Sequence, residues 1–284
     1  MKNAKEKGKH RFLDKHPVAG AILLALYGYF FALIIVSIVE WAVPAEGLGR
    51  IIGAVAGSMI ILAIHKHWFR PEFEGNLRGG KPSEGFSMFR IFAVFWAVSL
   101  FVQVFVAKFE WGPPTISTIA VSITAGFCEE TVFRGLPLSL LMRRFARDRN
   151  MIAALIITSA VFGLTHGLNI FAGANAQRTV LQIIGAGFLG LLLGAVYLRS
   201  GSLWPVIVIH TAHDIIAFMD VSNVSETGVI IGKVTWQSYF DLGLGIAMGI
   251  IGIWLVRKAR RDEIREIWEK KWRIRENEEN AGYN

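Results

Sequence analysis

The chain is built of long apolar runs separated by short polar joints. Eight runs can be drawn: Val18–Val43, Ile51–Trp68, Met88–Lys108, Thr115–Met142, Met151–His166, Thr179–Leu198, Ser202–Phe218 and Trp236–Val256. A helix that spans a bilayer needs about 20 predominantly apolar residues, and the fifth and seventh runs are the shortest. The ~10-residue alternating segments of a membrane β-barrel do not occur. The pattern predicts an all-α polytopic membrane protein with about eight transmembrane helices.

Composition agrees. Of 284 residues, 53% are hydrophobic and 18% charged, with a mean hydropathy of +0.46; a soluble domain carries about 25% charged residues. The net charge of +8 reads as basic loops rather than a nucleic-acid surface, because the charges fall on one side. Lys2, Lys5, Lys7, Lys9, Arg11, Lys15, Lys66, Arg70, Arg78, Lys81, Arg90, Arg143, Arg144, Arg147, Arg149 and Arg199 share a side with the basic tail. Arg50, Lys108, Arg178 and Lys233 fall opposite. The positive-inside rule then places both termini in the cytoplasm. The basic N-terminal segment precedes an apolar run too long for a signal-peptide core, so that run is expected to be a retained first helix. The single Cys128 excludes an intramolecular disulfide framework.

Against this apolar background a few ionisable residues stand out. They are Glu129, Glu130 and Arg134 in the fourth run, His166 in the fifth, and His210, His213 and Asp214 in the seventh. Such groups are costly in lipid and face a cavity or one another. Residues four apart share a helix face while adjacent ones differ by about 100°. Glu130 is therefore expected to pair with Arg134 and His210 with Asp214, while Glu129 points toward a different neighbour. His213 falls on another face, as an accessory or packing residue. At ~1.5 Å per residue from the basic rim, Glu129 lies ~21 Å deep, His166 ~25 Å, His210 ~16 Å and Asp214 ~22 Å. One shared layer near the membrane midplane, an intramembrane polar site, is the expectation.

A carboxylate beside imidazoles can activate water while a histidine or a metal stabilises the oxyanion. Glu and His are also zinc ligand types, but no HExxH occurs. Ser122 and Ser159 lie near the layer without a nucleophile-elbow motif. Each group alone also has a structural reading: a buried ion pair for Glu130–Arg134, a carbonyl contact for His166, a structural pair for His210–Asp214.

Three motifs occur in order on three predicted helices: EETVFR (129–134), FGLTH (162–166) and HTAHD (210–214). With the preceding GSLWPVIVIH they resemble the CPBP family, the CAAX protease and bacteriocin-processing or Abi family of intramembrane endopeptidases. The similarity covers roughly residues 115–220, and the CAAX prenyl protease type is the nearest pattern. The resemblance implies eight helices and peptide-bond hydrolysis within the bilayer. It assigns Glu129 as the base assisted by His166, Glu130 and Arg134 as shaping the site, and His210 with residue 214 as stabilising the oxyanion. Zinc held by Glu129, His166 and His210 and a metal-free glutamate mechanism are both implied alternatives. Asp214 stands where many members carry Asn; an ionised Asp cannot donate to an oxyanion, which leaves orienting His210, holding a metal, or burial as the acid.

Three regions follow: 1–114 with the basic segment and three helices, 115–220 as catalytic core, and 221–284 with the last helix and a basic amphipathic tail. The tail's Ile264, Ile267, Trp268 and Trp272 recur at one-turn spacing, which fits a helix on the anionic inner leaflet or a solvated extension. Gly190–Gly194 and Gly245–Gly249 are small faces for helix packing. The expected partners are membrane lipids and a membrane-anchored or lipidated peptide. A non-enzymatic immunity or scaffold protein and an ion-coupled transporter are the rival readings.

Overall fold

The computed structural model describes residues 15–106, 112–145, 150–219 and 230–273. The N-terminal basic segment, Lys108, Arg147, Arg149 and the end of the tail lie outside the described residues.

Each apolar run folds as a helix, because in lipid a helix satisfies all its own backbone groups. The helices are α1 (Pro17–Ala42), α2 (Leu48–Phe69), α3 (Pro82–Val106), α4 (Ile116–Phe145), α5 (Met151–Ala172), α6 (Ala176–Ser200), α7 (Leu203–Ala217) and α8 (Trp236–Leu255). All but α7 are long and apolar enough to cross a membrane. Helix α7 has 15 residues, about 22 Å, and sits against α4 and α6 with its first half buried. The eight runs thus correspond to seven long helices and one short one. The perimeter is apolar: Leu23, Phe30 and Ile34 of α1 and Val94, Val98 and Phe101 of α3 face outward.

Helices in lipid gain little from burying apolar area and rely on close packing. The two glycine pairs serve this. A methyl on Gly190 would meet Phe162 at 3.1 Å and Ser159 at 3.2 Å, seating α6 on α5. A methyl on Gly245 would lie 3.5 Å from the Gly185 backbone, where α8 meets α6.

The tail differs from both expectations. Helix α9 (Arg261–Lys271) neither lies free on a leaflet nor extends α8 into solvent. Ile264, Trp268 and Trp272 are buried against the bundle. Their amphipathic spacing meets protein, and backbone carbonyls of α6 and α4 accept from both indoles. Trp268 Nε1 donates to Leu198 O at 3.0 Å and Trp272 Nε1 to Ser139 O at 3.1 Å. Lys271 Nζ donates to Gly75 O and Arg78 O of the α2–α3 loop at 2.7 and 2.8 Å. Loop and tail together close one end of the bundle.

Candidate active site

The site begins with a local departure from helical regularity. Pro137 has no N–H to give, and from Glu130 to Leu138 α4 widens into a π-helical turn. The Ser139 N–H reaches back five residues to Arg134 O. Such widened turns are frequent at functional positions. The whole stretch Glu130–Met142 is buried.

Glu130 and Arg134 pair as expected, with Arg134 Nη1 donating to Glu130 Oε1 at 2.9 Å. Both are almost fully enclosed. The guanidinium also lies 4.3 Å over the Phe162 ring and donates to Gly190 O at 3.4 Å. Glu130 Oε1 takes a second hydrogen bond, from His210 Nδ1 at 2.7 Å. A carboxylate accepting from Arg134 is the acceptor here too, so Nδ1 of His210 carries the proton and Nε2 is left for the cavity.

Glu129 corrects the sequence reading. It does not address a different neighbour from Glu130; both carboxylates address His210. Glu129 Oε2 lies 3.7 Å from His210 Nε2, and Asp214 Oδ2 lies 3.7 Å from the same nitrogen. The close approach of α7 sets His210 between the two side chains, with Glu130 on its Nδ1 and Glu129 on the cavity side at Nε2.

That approach is set at Gly126. A methyl there would collide with Thr211 Oγ1 and come 2.8 Å from Ile207 O of α7. With no side chain at 126, α7 lies directly on α4, one turn from the glutamates.

His166 stands where α5 tightens into a 3₁₀ turn. Its own N–H bonds to Gly163 O, which frees Phe162 O for side chains. Thr165 Oγ1 donates to that carbonyl at 2.7 Å and His166 Nδ1 at 3.1 Å. A carbonyl only accepts, so Nδ1 of His166 holds the proton and Nε2 is the basic nitrogen. The Phe162 ring lies edge-on to both His166 and His210, with centroids 5.0 and 6.0 Å away.

These groups surround a cavity of about 450 Å³. Glu129, His166, His210 and Asp214 line it, whereas Glu130 and Arg134 pack behind the wall. His213 also lines it, although the helix-face argument sets it apart. Trp96 of α3 explains its place: the indole Nε1–H donates to His213 Nδ1 at 3.1 Å. Indole is a donor only, so neutral His213 keeps its proton on Nε2. Trp96 carried no sequence signal, since one tryptophan in an apolar run looks like any lipid-facing residue. Ser122 is not at the cavity; its hydroxyl donates to Thr118 O within α4.

Residues 111–216 match the family model described as type II CAAX prenyl endopeptidase Rce1-like. Over that stretch the chain is similar to an Rce1-like domain. The match spans a little over a third of the 284 residues and runs from just before α4 nearly to the end of α7. No curated protein and no solved structure matched the chain. The matched stretch contributes Glu129, His166, His210, His213, Asp214 and the start of α6 to the cavity, while Tyr29, Trp96 and α8 complete its walls. It supports peptidase activity in a multi-pass membrane protein.

Among the described residues, no three His, Cys, Asp or Glu side chains gather as a metal-holding group. His210 Nδ1 is taken by Glu130 and His166 Nδ1 by a carbonyl. The Nε2 atom of each histidine is left for the cavity.

Proposed function

We propose that the protein is an intramembrane endopeptidase that hydrolyses a peptide bond of a membrane-anchored or CAAX-like peptide with a water activated by Glu129. The observation that carries this reading is the position of Glu129. It is the glutamate of the EETVFR motif that lines the cavity, in an Rce1-like domain, beside Asp214 and two histidines.

Glu129 takes a proton from water, and the hydroxide adds to the scissile carbonyl carbon. His166 Nε2, the basic nitrogen, shares that proton. The negative charge on the carbonyl oxygen meets the N–H donor of His213 Nε2. The C–N bond then breaks, and the proton held by Glu129 passes to the leaving amine. Arg134 and Glu130 hold His210 in one tautomer, as a buried carboxylate does for a catalytic imidazole. Asp214 Oδ2 lies at the cavity wall, 3.7 Å from His210 Nε2.

The purified protein is incubated with a panel of lipidated peptides ending in a free carboxylate, alongside Glu129→Gln. Cleavage by the native chain and its loss in the variant support the reading. Equal cleavage by both, or none from either, overturns it. Metal content and chelator sensitivity of the same sample separate a glutamate mechanism from a metal-assisted one.

A further inference from the structure

The cavity wall carries a guanidinium that none of the three motifs supplies. Arg178, in the first turn of α6, lines the cavity, and among the described residues it is the one Arg or Lys that does. Its Nη1 donates to Ser238 Oγ at the start of α8. A guanidinium has five N–H donors, so one hydroxyl neither fills that capacity nor balances the charge.

The groups around Arg178 also present donors. Ser238 is buried, and its oxygen accepts from the Thr235 N–H at 3.0 Å as well as from Arg178. With both lone pairs taken, the Ser238 O–H is left to donate. Gln182 lines the cavity one turn after Arg178, on the same face of α6. Its Oε1 accepts from Asn169 Nδ2 at 3.1 Å, which leaves the Nε2 hydrogens. Asp241 lines the same cavity and has an interaction of its own. Three donor groups on one wall, one of them a cation, suit an anion, and the planar fork of arginine matches a carboxylate.

The donors stand a short way along α6 from the motif residues. Gly163, between Phe162 and His166, is the level at which α5 meets α6. A methyl on it would lie 2.5 Å from Ile183 O and 3.0 Å from Gly187 N. Arg178 precedes those two residues by five and nine positions, about 8–14 Å of helix. An extended peptide crosses that span in about two to four residues at ~3.3 Å each.

We propose that Arg178, with Ser238 and Gln182, binds the terminal carboxylate of the substrate peptide and so sets the scissile bond about two to four residues from the C-terminus. That the substrate is a peptide rests on the peptidase reading; the subsite itself is a matter of binding. Inside an apolar bundle an unanswered charge is costly, so a peptide whose end is a neutral carboxamide leaves Arg178 poorly satisfied and is rejected.

The test uses the detergent-purified full chain, native and as Arg178→Gln and Arg178→Lys. One lipidated peptide is made both as the free acid and as the carboxamide. Binding is read by fluorescence anisotropy of the labelled peptide, and turnover by release of its C-terminal fragment. The native chain is expected to bind the acid about 10–100-fold more tightly than the amide. Arg178→Gln is expected to bind the two alike, with its affinity for the amide unchanged, and Arg178→Lys to keep part of the preference. Equal binding of acid and amide by the native chain, binding of neither, or a preference that survives Arg178→Gln overturns the inference. An equal fall for both peptides in Arg178→Gln marks a purely structural tie between α6 and α8 and also overturns it. An acid preference that depends on Arg178, without turnover of either peptide, upholds the subsite and counts against the peptidase reading. Turnover without an acid preference does the reverse.

Discussion

Nδ1 of His210 lies 2.7 Å from Oε1 of Glu130, across 80 residues of chain. That contact joins α7 to the buried Glu130–Arg134 pair and divides the two adjacent glutamates by task. Glu130 has its Oε1 engaged by a guanidinium and an imidazole. Glu129 reaches the cavity with its side chain 29% exposed. Removing one partner of a buried ion pair strands the other and costs about 3–5 kcal/mol. Removing a general base costs about 10²–10⁴ in rate. Glu129→Gln is expected to lose cleavage while keeping its melting temperature. Glu130→Gln and Arg134→Met are expected to lose both. Thermal unfolding in detergent beside peptide turnover checks this; equal melting loss for Glu129→Gln and Glu130→Gln would contradict the division.

Gly126 sets the distance between the helices that make the contact. Thr211 can rotate away from an added methyl, but Ile207 O at 2.8 Å is backbone. Overpacking of this kind costs about 1–3 kcal/mol. Gly126→Ala is expected to lower kcat at least about tenfold, since catalytic geometry tolerates little displacement, and to lower the melting temperature. Adding Thr211→Ala should recover only part of the loss. Full recovery would show that the carbonyl contact is unimportant.

His213 and Trp96 make a second pair. The indole holds Nδ1 as an acceptor and leaves Nε2–H as the donor. Loss of one oxyanion donor costs about 10²–10³ in kcat. His213→Leu is expected to lower kcat by about a hundredfold with little change in KM. Trp96→Phe keeps the ring but removes the N–H, and a smaller fall is expected because the tautomer is no longer selected. An imidazole nitrogen shift measured by NMR on the native chain and Trp96→Phe reports the tautomer directly. An unchanged shift would remove Trp96 from the site.

Lys271 provides a pH dependence outside the membrane helices. Burial pulls its ammonium down from 10.5 to about 8; Glu74 opposes the shift and Lys66 adds to it. Between those two values the unfolded chain holds a proton that the folded chain has lost, so stability rises with pH across this window. Below about 8 both states are protonated and the burial penalty is fully present. A neutral amine still has two hydrogens for Gly75 O and Arg78 O. The melting temperature is therefore expected to rise from pH ~8 toward pH ~10 in the native chain, and less in Lys271→Met. A native profile that falls over this range would contradict the assignment.

The periodic features were legible in the chain itself. Long apolar runs dictate membrane helices because nothing else satisfies their backbone in lipid. Glu130 and Arg134, four apart on one helix, needed no tertiary information to pair. Features that depend on helices meeting were not legible. The meeting of Glu129 with His210 turns on how closely Gly126 admits α7, and helix-wheel spacing does not carry it. His213 reaches the cavity wall because Trp96, 117 residues away, meets it there. The tail's apolar stripe fits lipid or protein equally well, and only its packing against the bundle, with indole contacts to Leu198 O and Ser139 O, decides for protein. Local spacing sets which residues share a face. What each face meets is set by packing between segments far apart in the chain, and that is where the cavity arises.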